Sequence, residues 1–137
     1  MYSQKQHNLI NMRKMLLYIW QLPQNILGLI ILLVNIKSVK KINTRIKPYY
    51  AVKHLGNSGI SVGKRIIMDS DKRVRDNVLL HEYGHQIQSR RFGPLYLIII
   101  GIPSLIGNII HRFYKFNYYK QPWEHNASVL GGSNLLG

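Results

Sequence analysis

The feature that most constrains this chain is HEYGH at residues 81–85, taken together with the position of its other glutamate. On a helix, residues four apart share a face, so His81 and His85 can aim both imidazoles at one point. Glu82 is turned about a hundred degrees away and can approach that point from the side. The chain contains only two glutamates, and the second is Glu124. Between them lies FGPLYLIIIGIPSLIGNII, residues 92–110, without a single charge. As one straight helix that stretch would rise about 27 Å and carry Glu124 far from His85. If the two are to meet, the chain has to turn back. Gly101, Pro103, Ser104 and Gly107 mark the turn near its middle. The expectation is a hairpin of two short apolar helices over 92–110.

The remaining elements follow from local pattern. Asp69, Ser70 and Asp71 offer N-caps for the HEYGH helix, and Asp76 adds a negative charge near its start. Arg90 and Arg91 suit its far end, and Gly93-Pro94 stops it. Before it, GISVGKRIIMD (59–69) reads as one or two short strands hinged at Gly63-Lys64. Pro48 to Gly59 reads as a connection. Residues 1–14 read as loose, polar and basic. The fold class expected is therefore mainly α with a short β-hairpin or sheet, an α+β chain of one-domain size. Its two regions would be a basic N-terminal region, 1–47, with an apolar anchor at 15–36, and a domain at 48–137.

Charge and hydropathy point to a membrane surface. Lys and Arg number 19 against 5 Asp and Glu, a formal charge of +14. That rules out a neutral surface and calls for an anionic partner. The first fifty residues hold eight basic residues and no acidic one, around the run MLLYIWQLPQNILGLIILLVNI. Basic residues flanking an apolar run favour anionic lipid head groups over a nucleic-acid groove, and no RNA- or DNA-binding motif is visible. Arg13-Lys14 before the run mimics a signal peptide, but no small-residue cleavage site follows, so a retained anchor is expected. Gln21, Pro23, Gln24 and Asn25 interrupt the run and need partners if it lies in lipid. Basic residues flank both apolar segments on both sides, so orientation is not decided. No cysteine is present. Disulfides, thiolate metal sites and cysteine nucleophiles are thereby excluded.

HExxH on a helix is a zinc-binding pattern in which two histidines hold the ion and the glutamate takes a proton from water. A third protein ligand is needed. The continuation HExxHxxGxxH fails, because Gln88 and Arg91 stand where Gly and His belong. Glu124 is then the expected third ligand, with His111 and His125 as alternatives; His7 and His54 read as surface or structural residues. Glu82 is the expected catalytic base. His111, His125, Tyr118 and Tyr119 are candidate donors to a developing oxyanion. Ile60–Val62 and Arg65–Met68 are candidate edges for a substrate backbone.

The runs SGISVGKRIIM, HEYGHQIQSRRFGPLYLIIIGIPSL and WEHNASVLGG resemble a family of small bacterial zinc metallopeptidases. Similar segments occur at the ends of some large repeat-containing toxin-like proteins. The resemblance covers roughly residues 54 to 132. It implies a minimal zincin-like core with membrane-associated apolar helices. It further implies a gluzincin-like ligand set of His81, His85 and Glu124, Zn2+ as cofactor, a peptide or protein substrate, and a bacterial inner membrane. The chain departs from the gluzincin ExxxD form, since Ser128 stands four residues after Glu124. The carboxylate that would orient a histidine is missing there, and a backbone carbonyl or Asp69 is the expected substitute. The competing reading is a non-catalytic, membrane-bound interaction or toxin-related protein whose metal site is structural or vestigial.

Overall fold

The computed structural model describes residues 3–55, 59–71 and 76–133. It is mainly helical, with one small mixed sheet. Helix α1 (Gln4–Trp20) begins at a capping box in which the Ser3 hydroxyl accepts from the Gln6 backbone and the Gln6 side chain accepts from the Ser3 backbone. The expectation of a loose segment before residue 15 is therefore corrected: Ser3-x-x-Gln6 starts a helix there. The apolar run is then broken by an 81° bend at Gln21, before α2 (Leu22–Val34). Pro23 sits in the first turn of α2, where its missing N–H costs nothing.

The sheet has strand order β1-β2-β4-β3, from β1 (Lys40–Ile42), β2 (Tyr49–Val52), β3 (Gly59–Val62) and β4 (Arg65–Asp69). β3 and β4 form the expected hairpin, turning at Gly63 with φ +64°. β2 lies inside the stretch read as a connection, and it pairs parallel to β4 and antiparallel to β1. The boundary placed at 47/48 thus falls between two paired strands. Ile66 and Met68 of β4 pack with Tyr49, Ala51 and Leu79 on one face. Ile67 packs with Val52 and Val62 on the other, under Ile31 and Leu32 of α2. A strand covered on both faces has no polar side, which explains why Ile66, Ile67 and Met68 follow one another.

Helix α3 (Asp76–Phe92) carries the histidines and lies against the β3 side of the sheet. Asp69 ends β4 and accepts from the Asp71 N–H, and Asp71 accepts from the His54 N–H. These groups organise the turn before the helix. The cap position itself falls outside the described residues.

The reversal expected in the middle of 92–110 occurs at its start. Gly93, at φ +55°, leads a short 3-10 turn (Gly93–Leu95), and the chain bends by 119°. A Cβ on Gly93 would fall inside the Trp20 ring, so the bend is packed as well as turned. Beyond it a π-wound turn (Leu97–Gly101) leads straight into α4 (Ile102–Phe113). The wider winding is accommodated ahead of Pro103, which removes one backbone donor. Gly101 and Pro103 therefore mark a change of helical winding, and the hairpin placed there is replaced by one bent pair. A second return through a 3-10 turn (Tyr118–Lys120) brings α5 (Pro122–Gly131) back onto α3. Among the described residues no single helix is long and apolar enough to cross a membrane, although the bent pairs α1–α2 and α3–α4 pass that test together.

Candidate metal centre

The site exists because α3 and α5 approach backbone to backbone. A Cβ on Gly84 would overlap the Ala127 carbonyl, and one on Gly131 would overlap the Leu80 carbonyl. The glycine inside HEYGH and the alanine and glycine after Glu124 thus set the separation of two helices. At that separation Glu124, fully buried, points at both imidazoles. Its Oε2 lies 2.9 Å from His81 Nε2 and 3.0 Å from His85 Nε2. Donors held about 2.05 Å from a tetrahedral centre would be about 3.3 Å apart. Each imidazole nitrogen therefore stands within a few tenths of an ångström of ligand spacing from the carboxylate oxygen, and the three donor atoms lie within 4.8 Å of one another. Among the described residues this is the cluster able to hold a metal ion.

The groups behind these three fix how they present themselves. Gln88 Nε2 donates to the Trp123 carbonyl at 2.8 Å and to Asn126 Oδ1 at 2.9 Å. A backbone carbonyl can only accept, so the orientation of the Gln88 amide is settled and Oε1 faces His85. His85 Nδ1, 2.7 Å away, must then carry a proton and donate it. If the ring is neutral, its Nε2 is a bare lone pair aimed at a carboxylate oxygen. Two lone pairs at that distance repel unless a cation lies between them, either a proton on the imidazole or a metal ion. His81 Nδ1 is seated against the Ser128 hydroxyl at 2.8 Å. The orienting role expected of a backbone carbonyl or Asp69 is taken, among the described residues, by Ser128 for His81 and by Gln88 for His85. The second oxygen of Glu124 is held by the Ser104 hydroxyl and by the Tyr118 hydroxyl at 2.8 Å. That leaves Oε2 alone directed at the histidines.

Protonation follows the same geometry. Burial pushes the Glu124 carboxyl up, but its bonds from His81 and His85 outweigh that and hold it well below the usual carboxylate range. Burial pulls His85 down, and the Glu124 bond and the Glu82 charge more than reverse it. Burial raises Glu82, with His85 and His81 partly opposing. Burial and the Glu124 charge keep the Tyr118 phenol neutral.

Glu82, His81, His85 and Glu124 line a cavity of about 680 Å³. β3 forms one wall and the inner side of α4 another. β3 is an edge strand, as a backbone-binding strand must be. β4 is paired on both sides, so Arg65–Met68 is not available in that role. Of the proposed oxyanion donors, His111 and Tyr119 line the cavity, and Tyr119 stacks edge-on against His81. Tyr118 lines it too but is engaged with Glu124. His125 is exposed and lines no part of it, and neither His111 nor His125 joins the ligand cluster. The sequence assigns Ser128, Gln88 and Ser104 no orienting role at the site. Gln88, one turn beyond His85, was the one with a positional signal.

No family model, no curated protein and no solved structure matches this chain. The site therefore stands on its geometry.

Proposed function

We propose that this chain is a membrane-associated zinc metallohydrolase that cuts peptide bonds. The observation that carries the reading is the Gln88-fixed His85 ring, whose Nε2 faces Glu124 Oε2 with His81 Nε2 alongside. His81, His85 and Glu124 would hold the ion. When bound, zinc polarises a carbonyl and lowers the pKa of water toward neutrality. Glu82 lies in the same cavity, is not one of the three converging groups, and acts as the general base on its carboxylate. The free edge of β3, Ile60–Val62, receives the substrate backbone as an added strand. His111 or Tyr119 donates to the oxyanion.

The bilayer half of the proposal rests on helices whose faces are inverted. α2 buries Gln24, Asn25 and Gly28 while Ile26, Leu29, Ile30 and Leu33 are exposed. The polar groups that interrupt the apolar run are mostly partnered by protein: Gln24 donates to Ser89, Ser89 donates to Gln21, and Asn25 accepts from the Lys64 N–H. Exposed apolar faces of this extent, beside a net charge of +14, suit an anionic membrane surface.

The test is Glu82→Gln, assayed with a quenched-fluorescent peptide mixture alongside metal content. About one zinc per chain should remain while hydrolysis falls by about 10²- to 10⁴-fold. Unchanged hydrolysis in that variant would contradict the assignment.

A further inference from the structure

The cavity over the metal centre has a lip that belongs to the outer surface. Leu27 of α2 and Ile102 and Leu105 of α4 line the cavity. The same side chains are 36%, 51% and 57% exposed. The apolar exterior of both helices therefore continues over the lip and inside. α4 also turns Ser104, Asn108 and His111 toward the cavity, about one helical turn apart. On the outside it shows Ile106 and Ile109, and the π-wound turn before it shows Ile98. Polar groups within and apolar groups without is the arrangement of a protein that has lipid for its solvent. Lys37, Lys40 and Lys41 follow α2, and Lys115 and Lys120 follow α4, so cations stand where each apolar face ends.

We propose that the substrate is a polypeptide segment embedded in an anionic bilayer, which reaches the site laterally between α2 and α4. This rests on the peptidase and bilayer readings above. A segment leaving its helix in lipid loses backbone hydrogen bonds and needs partners at once. The open edge of β3 supplies N–H and C=O groups inside the cavity, beside the lip through which the segment arrives. Ser61 on that strand keeps a buried hydroxyl with no hydrogen-bond partner. An incoming backbone satisfies it.

The chain has no cysteine, so Leu27→Cys and Leu105→Cys each create a single labelling position. Nitroxides at both are placed in phosphatidylcholine–phosphatidylglycerol vesicles, with Lys53→Cys as the exposed control. Both lip labels should collide several-fold more often with oxygen than with a water-soluble nickel chelate, and the control should do the reverse. Lip labels as open to nickel as the control would overturn the proposal, as would labels shielded from both, which would indicate a contact between two copies. In the same vesicles, zinc-loaded protein is offered a Leu/Ala membrane-spanning peptide of about 20 residues and its central sequence as a short soluble peptide. The embedded peptide should be cut, and a bulky maleimide on Leu105→Cys should slow that at least about tenfold. Cutting of the soluble peptide alone would overturn the proposal. Lipid-facing lip labels on a protein that cuts neither peptide would overturn the peptidase reading and the substrate assignment with it, and the lateral mouth would stand.

Discussion

The α3–α5 contact and the outer faces of α2 and α4 follow opposite rules. Between α3 and α5, small residues let two backbones touch, and His81, His85 and Gln88 reach across to Ser128, Glu124 and Asn126 through hydrogen bonds. On α2 and α4, large aliphatic side chains stand exposed over polar inner surfaces. The first region brings Glu124 Oε2 to 2.9 Å and 3.0 Å from the two imidazole nitrogens. The second is defined by exposed aliphatic side chains rather than by paired polar atoms. The difference teaches where this protein spends its specificity: on positioning three donor atoms, and not on a large apolar core.

Breaking the first region should have the largest effect. Gly84→Leu inserts a side chain where the Ala127 carbonyl lies. It should cost about 3 kcal/mol or more, at the severe end of overpacking. Denaturant unfolding should show that loss, and metal content should fall with it. Next in size are the groups behind the ligands. Ser128→Ala and Gln88→Ala should each weaken zinc affinity by about 10- to 100-fold in a chelator competition. Their folds should persist, because each removes a hydrogen bond rather than packing volume. The smallest effects on folding belong to the second region. Ile106→Ser and Ile109→Ser should change stability in solution by no more than about 0.5 kcal/mol. Each should nonetheless lower partitioning into anionic vesicles by about tenfold, the worth of the apolar burial lost. If these substitutions destabilise the fold as strongly as Gly84→Leu, the two regions are not built differently.

Much of the first region was legible in the sequence, for a reason specific to this composition. In a chain with 19 basic and 5 acidic residues, a glutamate stands out, and Glu124 could be paired with HEYGH on that ground. The Gly63 hairpin was legible because a glycine separates two Ile/Val-rich runs. Neutral orienting groups left no comparable trace. Ser128 and Gln88 carry no charge, and their roles exist only once α5 lies on α3. Strand β2, YYAV, is four residues long and is defined by pairing with β4 rather than by any local period. The turn after α3 was placed at Gly101–Gly107 because glycine and proline cluster there. Packing of Trp20 against Gly93 placed it earlier, and no local pattern reports a contact between residues so distant in sequence. The capping box at Ser3 and Gln6 was a readable signal that the basic composition of the segment obscured.

The central claim is that His81, His85 and Glu124 bind one divalent ion. Zinc titration of the wild-type chain and of Glu124→Ala, with matched circular dichroism, tests it most directly. About one zinc per wild-type chain is expected, with at least a hundredfold weaker binding in an otherwise folded variant. Equal zinc binding by the two chains, or none by the wild type, would contradict it.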